Sequence, residues 1–305
     1  MCGMALFTAD INGWTNWGNM FQSIPAFAPL VEHIYQISGL DMDAPIENLT
    51  PGSNAVFKRA DTVIKVFAPP QTGIADDYGF ITERFALQHA QNVGVRVPKV
   101  LASGTVQDSY RFDYIIMEYI AGQEAGAVLH TMDKGKFAAE MRTILQKLNV
   151  RTELFRPVDL RKQAINNHRL RALHPQLVLQ LQAHVAAQTW QTEVFVHGDV
   201  TGDNVLINDA GEIVLIDFAD CYLAPAYYEL PPLIFELFTE DTMLATAYLS
   251  KAPTPEFIED LIAGIFLHDF GADVLHGFFM RKGLDVRTVT SVDMLRDYLH
   301  QHFIG

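Results

Sequence analysis

The run from Val196 to Asp220, VHGDVTGDNVLINDAGEIVLIDFAD, constrains this chain more than any other part of it. Val194-Phe-Val196 reads as a short strand that ends at His197. Val205-Leu-Ile207 and Val214-Leu-Ile216 read as two more, joined by the turn residues Asn208-Asp209-Ala210-Gly211. A hairpin folds its ends together, so Asn204 before the first strand and Asp217 after the second face one point. Amide and carboxylate oxygens of that kind suit Mg²⁺, a hard octahedral cation. Asp199 stands at the end of the leading strand, near the same point, where it is placed to take a proton from a hydroxyl.

Around this run the apolar period changes in a way that divides the chain. Phe27, Leu30, Val31, Ile34 and Ile37 have helical spacing within Phe21–Ser38. Asn54–Arg59 and Thr62–Phe67 are β-type runs joined by Ala60-Asp61, a predicted hairpin. A connection at Ala68–Gly73 leads to a helix at Ile81–Asn92, which Gly94 ends. Two more strands are predicted at Lys99–Val106 and Tyr110–Tyr119. Beyond Gly122 helical patterns dominate. Phe137, Met141, Ile144, Leu145 and Leu148 form one face behind Asp133, and Pro232–His302 is helical and rich in Phe and Leu. A small β-sheet lobe therefore precedes a larger helical lobe, an α+β arrangement with the boundary near residue 120.

The order His-x-Asp-x-x-x-x-Asn followed by Asp-Phe matches the kinase scheme in spacing and in residue type. With His197-Gly198-Asp199 in place of His-Arg-Asp, the chain resembles the aminoglycoside phosphotransferase and choline kinase family over about Asn48–Leu237. The resemblance implies a protein-kinase-like fold of two lobes: residues 1–120, a nucleotide-binding lobe with a leading helical segment, and residues 121–305, a helical lobe with the catalytic loop and substrate site. It implies Asp199 as base, His197 as brace of the loop, and Asn204 with Asp217 as metal ligands. Lys65, in Val-Ile-Lys-Val-Phe, resembles the strand lysine that holds nucleotide phosphates. Glu83 resembles its helix partner, and Glu47 and Arg84 are nearby competitors of this pair. Ser53, in Thr50-Pro-Gly-Ser-Asn54, lies in a candidate phosphate loop that reads equally as a plain turn. Met117, Glu118 and Ile120 match the segment that meets adenine, where the backbone of Glu118 and Ile120 does the recognition. The same run also reads as a buried strand leaving its sheet. The implied cofactors are ATP or GTP with Mg²⁺. The implied partner is a hydroxyl-bearing small molecule, aminoglycoside-, choline- or sugar-like. Two rival readings are a catalytically silent nucleotide-binding module and a protein kinase. Against the latter, no Ala-Pro-Glu stop follows Asp217.

Departures from the family pattern carry expectations of their own. Glycine at 198 cannot meet a phosphorylated activation loop as arginine does. Phosphatase treatment is therefore expected to leave activity unchanged, and its abolition by phosphatase would overturn this reading. Ala219 stands where protein kinases have glycine. Glu229, in Leu223-Ala-Pro-Ala-Tyr-Tyr-Glu-Leu230, is expected to support the loop, and Glu236 reads as a helix-face charge. Asn149 stands where many relatives carry histidine. His268 and Asp269 read either as substrate contacts or as a pair internal to a helix. Trp14, Trp17 and Phe21 pack the leading segment onto the first lobe or onto another subunit.

Composition narrows the partners. A net charge of −14 excludes the basic footprint that nucleic acid needs. From Cys221 onward there are 12 acids against 5 bases, which fits either ordinary solubility or an acidic groove for a cationic substrate. The two cysteines suggest a reducing compartment. No apolar run approaches the roughly 20 residues that span a bilayer, and the start lacks the basic region of a secretory signal. The expected location is the cytoplasm.

Overall fold

Two hairpins and one flanking strand build a five-stranded antiparallel sheet in the computed structural model, which describes residues 5–50, 52–73, 79–153, 155–156, 158–190 and 193–305. The chain divides into two units. The first comprises residues 1–88 with 97–121, and the second 89–96 with 122–305.

In the first unit, helices α1 (Trp14–Met20) and α2 (Ile24–Ser38) lead into strands β1 (Ile46–Asn48), β2 (Ala55–Arg59) and β3 (Thr62–Val66). Helix α3 (Gly79–Asn92) follows, then β4 (Val100–Gln107) and β5 (Arg111–Glu118). The sheet order is β1-β2-β3-β5-β4, antiparallel throughout. Ala60 turns the β2–β3 hairpin with φ of 53°, and Thr62 Oγ1 donates to the Arg59 carbonyl at 2.7 Å. Ser23 caps α2 by accepting from the Ala26 N–H, so this helix starts three residues later than its periodicity suggests. The leading segment packs into its own unit. Phe7, Trp17 and Phe27 are fully buried with Phe57 and Phe112, and Trp17 Nε1 donates to the Ser53 carbonyl at 2.8 Å. Trp14 stays exposed. Fully burying each such large apolar side chain stabilises the unit by about 1.5–3 kcal/mol.

The second unit adds β6 (Gly122–Glu124), α4 (Ala125–Val128), α5 (Lys134–Leu148), α6 (Leu160–Ile165) and α7 (Pro175–Ala187). Then come β7 (Val194–Val196), β8 (Val205–Asn208), β9 (Ile213–Leu215) and β10 (Tyr222–Ala224), followed by α8 (Thr242–Leu249), α9 (Pro255–Leu267), α10 (Gly271–Arg281) and α11 (Val292–Phe303). Asp133 caps α5, which buries Phe137, Ala138, Met141, Leu145 and Leu148. From Leu261 to Leu267 every residue of α9 is buried, as befits a central helix with neighbours on all sides. Helices α7, α10 and α11 pack around it. Among the described residues no helix is long and apolar enough to cross a membrane.

Two strands here were not anticipated. β6 pairs with β8 to extend the β8–β9 hairpin, and β10 pairs with β7. Gly122 makes the first possible, since a Cβ there would stand 2.4 Å from the Ile207 carbonyl oxygen. The second carries the chain from Asp217 back beside the strand that ends at His197.

Candidate active site

Each unit holds one group of the residues singled out from the sequence. In the first, β3 carries Lys65 at a buried position, facing Val56 across β2 and Ile115 across β5. Its Nζ lies 2.7 Å from Glu83 Oε2, with both side chains almost wholly removed from solvent. Glu83 reaches it from α3, whose buried face runs through Thr82, Glu83, Ala86, Leu87 and Ala90. The competing carboxylate, Glu47, pairs instead with Lys58 at 3.8 Å.

Ser53 is exposed and precedes β2, its carbonyl already engaged by Trp17. Asn54 Oδ1 accepts from the Ala68 N–H at 3.0 Å and so ties the same bend to the chain just beyond β3. Pro51, in the middle of this candidate phosphate loop, lies outside the described residues. Met117 is buried between Val63 and Val100. At the strand end the Glu118 N–H donates to the Lys99 carbonyl at 2.9 Å, and the Tyr119 N–H to Asp61 at 2.8 Å. Ile120, next along, has left the sheet.

In the second unit the loop after β7 is held from several sides. His197 is fully buried. Its Nδ1 accepts from the Asp199 N–H at 3.2 Å, which leaves Nε2–H to donate to the Ile216 carbonyl at 3.0 Å. Its ring packs on Phe218 at 4.4 Å. Glu229 supplies one carboxylate oxygen to each of two backbone donors, the His197 N–H at 2.8 Å and the Gly198 N–H at 3.0 Å. Asn149 donates from Nδ2 to Glu229 Oε2 at 3.2 Å and to the Phe195 carbonyl at 2.9 Å. Burial pushes the Glu229 carboxyl up, against the pull of those backbone donors and Asn149.

Gly198 has φ of 80°, and a Cβ there would stand 2.3 Å from the Asp220 carbonyl oxygen. The absence of arginine is therefore steric as well as chemical: any side chain displaces the segment after Asp217.

Asn204 Nδ2 donates to Asp199 twice, to the backbone carbonyl at 2.9 Å and to Oδ2 at 2.6 Å. This fixes the amide orientation and turns Oδ1 away from Asp199. The Ile216 N–H donates to the Asn204 carbonyl at 3.0 Å, extending the β8–β9 ladder up to Asn204. The next residue beyond it, Asp217, has φ of 56°, a left-handed conformation that costs an L-residue of order 1 kcal/mol. Burial pushes the Asp199 carboxyl up to about 7, and the charges of Asp220 and Asp217 push the same way. Asn204 opposes the shift. Among the described residues no three His, Cys, Asp or Glu side chains form a metal cage. A Mg²⁺ site does not need one, because that ion takes one or two carboxylates and completes its shell with water and phosphate oxygens. Hard oxygens on Asn204 and Asp217, within a concentration of negative charge, fit such an ion.

His268 departs from the helix-internal place that its sequence context suggests. It is not internal to a helix but is the buried C-cap of α9, in an extended conformation. Its Nε2 donates to the Gly198 carbonyl at 2.8 Å, and its Nδ1 accepts from the Phe270 N–H at 3.0 Å. Burial lowers the pKa of His197 and of His268 to about 4 each. In each case the unfolded chain takes up a proton that the folded chain refuses between about pH 6.5 and pH 4. The stability each neutral ring contributes is thus complete above that window. It is lost as pH falls through it, by up to about 3 kcal/mol per histidine. Denaturation of wild type and of His268→Gln at about pH 7 and about pH 5 checks this, with the acid-induced loss expected to be smaller in the variant. Equal losses would mean that His268 is not held neutral.

A family model described as APH, phosphotransferase enzyme family, matches residues 51–278. Among solved structures, a choline/ethanolamine kinase family protein from Mesorhizobium loti is similar at TM-score 0.60 and 18% identity, covering 90% of this chain and 99% of its own. The APH(2″)-IIIa structure with GDP and kanamycin is similar at TM-score 0.59 and 16% identity, covering 90% and 97%. The streptomycin–ATP–APH(2″)-IIa ternary complex is similar at TM-score 0.59 and 16% identity, covering 88% and 97%. At these identities the likeness is one of fold, and the fold is protein-kinase-like. Comparison with curated proteins finds no match.

Proposed function

The chain belongs to the APH phosphotransferase enzyme family, and from that premise we propose that it transfers the γ-phosphoryl group of ATP to a hydroxyl of a small molecule. The observation that carries the reading is the loop of the second unit, where Asn204 holds the Asp199 carboxylate by Nδ2 and the hairpin carries Asp217 into the same region. Asp199 orients the acceptor hydroxyl and takes its proton. A carboxyl raised to about 7 is matched to that task near neutral pH. Asn204, through Oδ1, and Asp217 would hold Mg²⁺, which when bound neutralises charge on the nucleotide phosphates. Lys65, fixed by Glu83, holds the phosphates and stabilises charge on the group in transfer.

Adenine recognition falls to the chain leaving β5. There the backbone of Glu118, whose N–H is held on the Lys99 carbonyl, and of Ile120 just beyond it meets the base. Met117 lines the buried strand beneath. Ser53, exposed in the bend before β2, belongs to the loop that would lay backbone N–H groups on the phosphates. The nucleotide reading draws support from structures of similar fold that hold GDP or ATP. For the acceptor, an aminoglycoside, a choline-like amine or an amino sugar fits the acid excess of the last third of the chain.

A panel of hydroxylated amines, sugars and antibiotics, assayed for ADP release from Mg²⁺-ATP, tests the reading. Release stimulated by one acceptor class, and lost in Asp199→Ala, is expected. Calorimetric ATP binding without turnover on any acceptor would instead favour a silent nucleotide-binding module. Labelling of proteins rather than small molecules in a lysate would favour a protein kinase.

A further inference from the structure

We infer that His268 is a positioning residue for phosphoryl transfer, acting through the Gly198 carbonyl to fix the peptide that precedes the Asp199 side chain. The inference rests on the reading of Asp199 as base. Gly198 is gripped at both of its backbone polar groups. Glu229 Oε1 takes its N–H at 3.0 Å, and His268 Nε2 meets its carbonyl at 2.8 Å. At φ of 80° and without a side chain, Gly198 is the neighbour of Asp199 with the greater freedom to rotate. Rotation of the 198–199 peptide would swing the Asp199 N–H off His197 and carry the carboxylate with it. Glu229 restrains the peptide on the N-terminal side of Gly198, and His268 restrains the one leading to Asp199.

The local chain delivers the imidazole to that carbonyl with little freedom. Helix α9 ends at Leu267, so His268 leaves it extended and buried. The ring packs on Tyr228 at 4.5 Å between centroids, and Tyr228 Cε1 lies 3.6 Å from where a Gly198 Cβ would stand. Two glycines permit the approach. A Cβ at Gly264 would meet the Tyr227 carbonyl oxygen at 2.4 Å, and one at Gly271 would overlap the Ile265 carbonyl. The Phe270 N–H on Nδ1 sets the tautomer, leaving Nε2 as the donor.

Two substitutions separate the role in the loop from a role in the turn after α9. The amide nitrogen of glutamine reaches the place of His Nε2 and keeps the donor to Gly198. The amide oxygen of asparagine takes the place of Nδ1 and keeps the acceptor for Phe270, while losing Gly198. With the acceptor found in the ADP-release panel, His268→Asn is expected to lower kcat about tenfold with KM for ATP within about twofold, and His268→Gln to stay near wild type. Hydrogen exchange in peptides spanning 197–204 is expected to speed up in His268→Asn and not in His268→Gln. The opposite order, or equal behaviour of the two variants in both measurements, would overturn the inference. Should no acceptor support turnover by the wild type, the reading of function fails, and the exchange measurement alone decides the place of His268.

Discussion

Asp199→Asn is expected to lose turnover by about 10²–10⁴-fold and, at alkaline pH without divalent cations, to be more stable than the wild type. The activity loss follows because an amide cannot take the acceptor proton. The gain in stability follows from the environment of the carboxylate, which is largely buried beside the charges of Asp220 and Asp217. For an acid whose pKa rises on folding, from 3.8 to about 7, the folded chain retains a proton that the unfolded chain releases. Stability is therefore greatest below that window and declines as pH rises through it, by a few kcal/mol once Asp199 is charged. Asparagine avoids the decline. Denaturation of both proteins at about pH 5 and about pH 8, with turnover measured in parallel, makes the comparison. A variant no more stable than wild type at the higher pH would show that the carboxylate is not strained. The histidine effect described above runs the other way across part of the same range, so differences between variants, not the wild-type profile, isolate each group.

The second large effect belongs to Lys65 and Glu83. Removing one member of a buried pair leaves the other charge without compensation, which costs about 3–5 kcal/mol. Lys65→Met and Glu83→Leu are each expected to destabilise by that amount and to abolish phosphoryl transfer. The double variant, Lys65→Met with Glu83→Leu, places two apolar side chains where the pair stood. It should recover most of the stability while remaining inactive. Denaturant titration of the three variants measures this. If the two single losses simply added in the double variant, the ion pair would not be the source of the cost.

The Lys65–Glu83 pair was legible through resemblance to the family, which names partners for a strand lysine and a helix glutamate, whereas the meeting of Asp199, Asn204 and Asp217 was legible from the local hairpin itself. A strand lysine, a helix glutamate and a hairpin with Asn208-Asp209-Ala210-Gly211 at its turn each follow from residues close together in the chain. The choice of Glu83 over Glu47 was not local, and only the fold of β2 against β1 gives Glu47 a different cation. Glu229 was readable as a support because it sits within a recognisable run. Its partners are backbone N–H groups, which leave no mark on composition. His268 was opaque for the same reason. Its partner is a carbonyl 70 residues away, and the unbroken apolar run before it reads as helix continuing through it. Strands β6 (Gly-Gln-Glu) and β10 (Tyr-Leu-Ala) are three residues each and lack the wholly apolar, β-branched run that marks β7 and β9 at the same length.

One contact in the second unit has a consequence for how the chain can diverge. The Gly126 N–H donates to the Gly202 carbonyl at 3.1 Å, and a Cβ on Gly202 would stand 2.8 Å from the Gly126 Cα. The start of α4 and the turn between Asp199 and Asn204 thus meet main chain to main chain. A mutation at Gly202 forces the two backbones apart before any second change can accommodate it. Compensation would have to come from a shift of whole segments, since Gly126 has no side chain left to shorten. A substitution at either glycine therefore acts on both segments at once, and the lead into α5 and the Asp199–Asn204 turn behave as one mechanical piece.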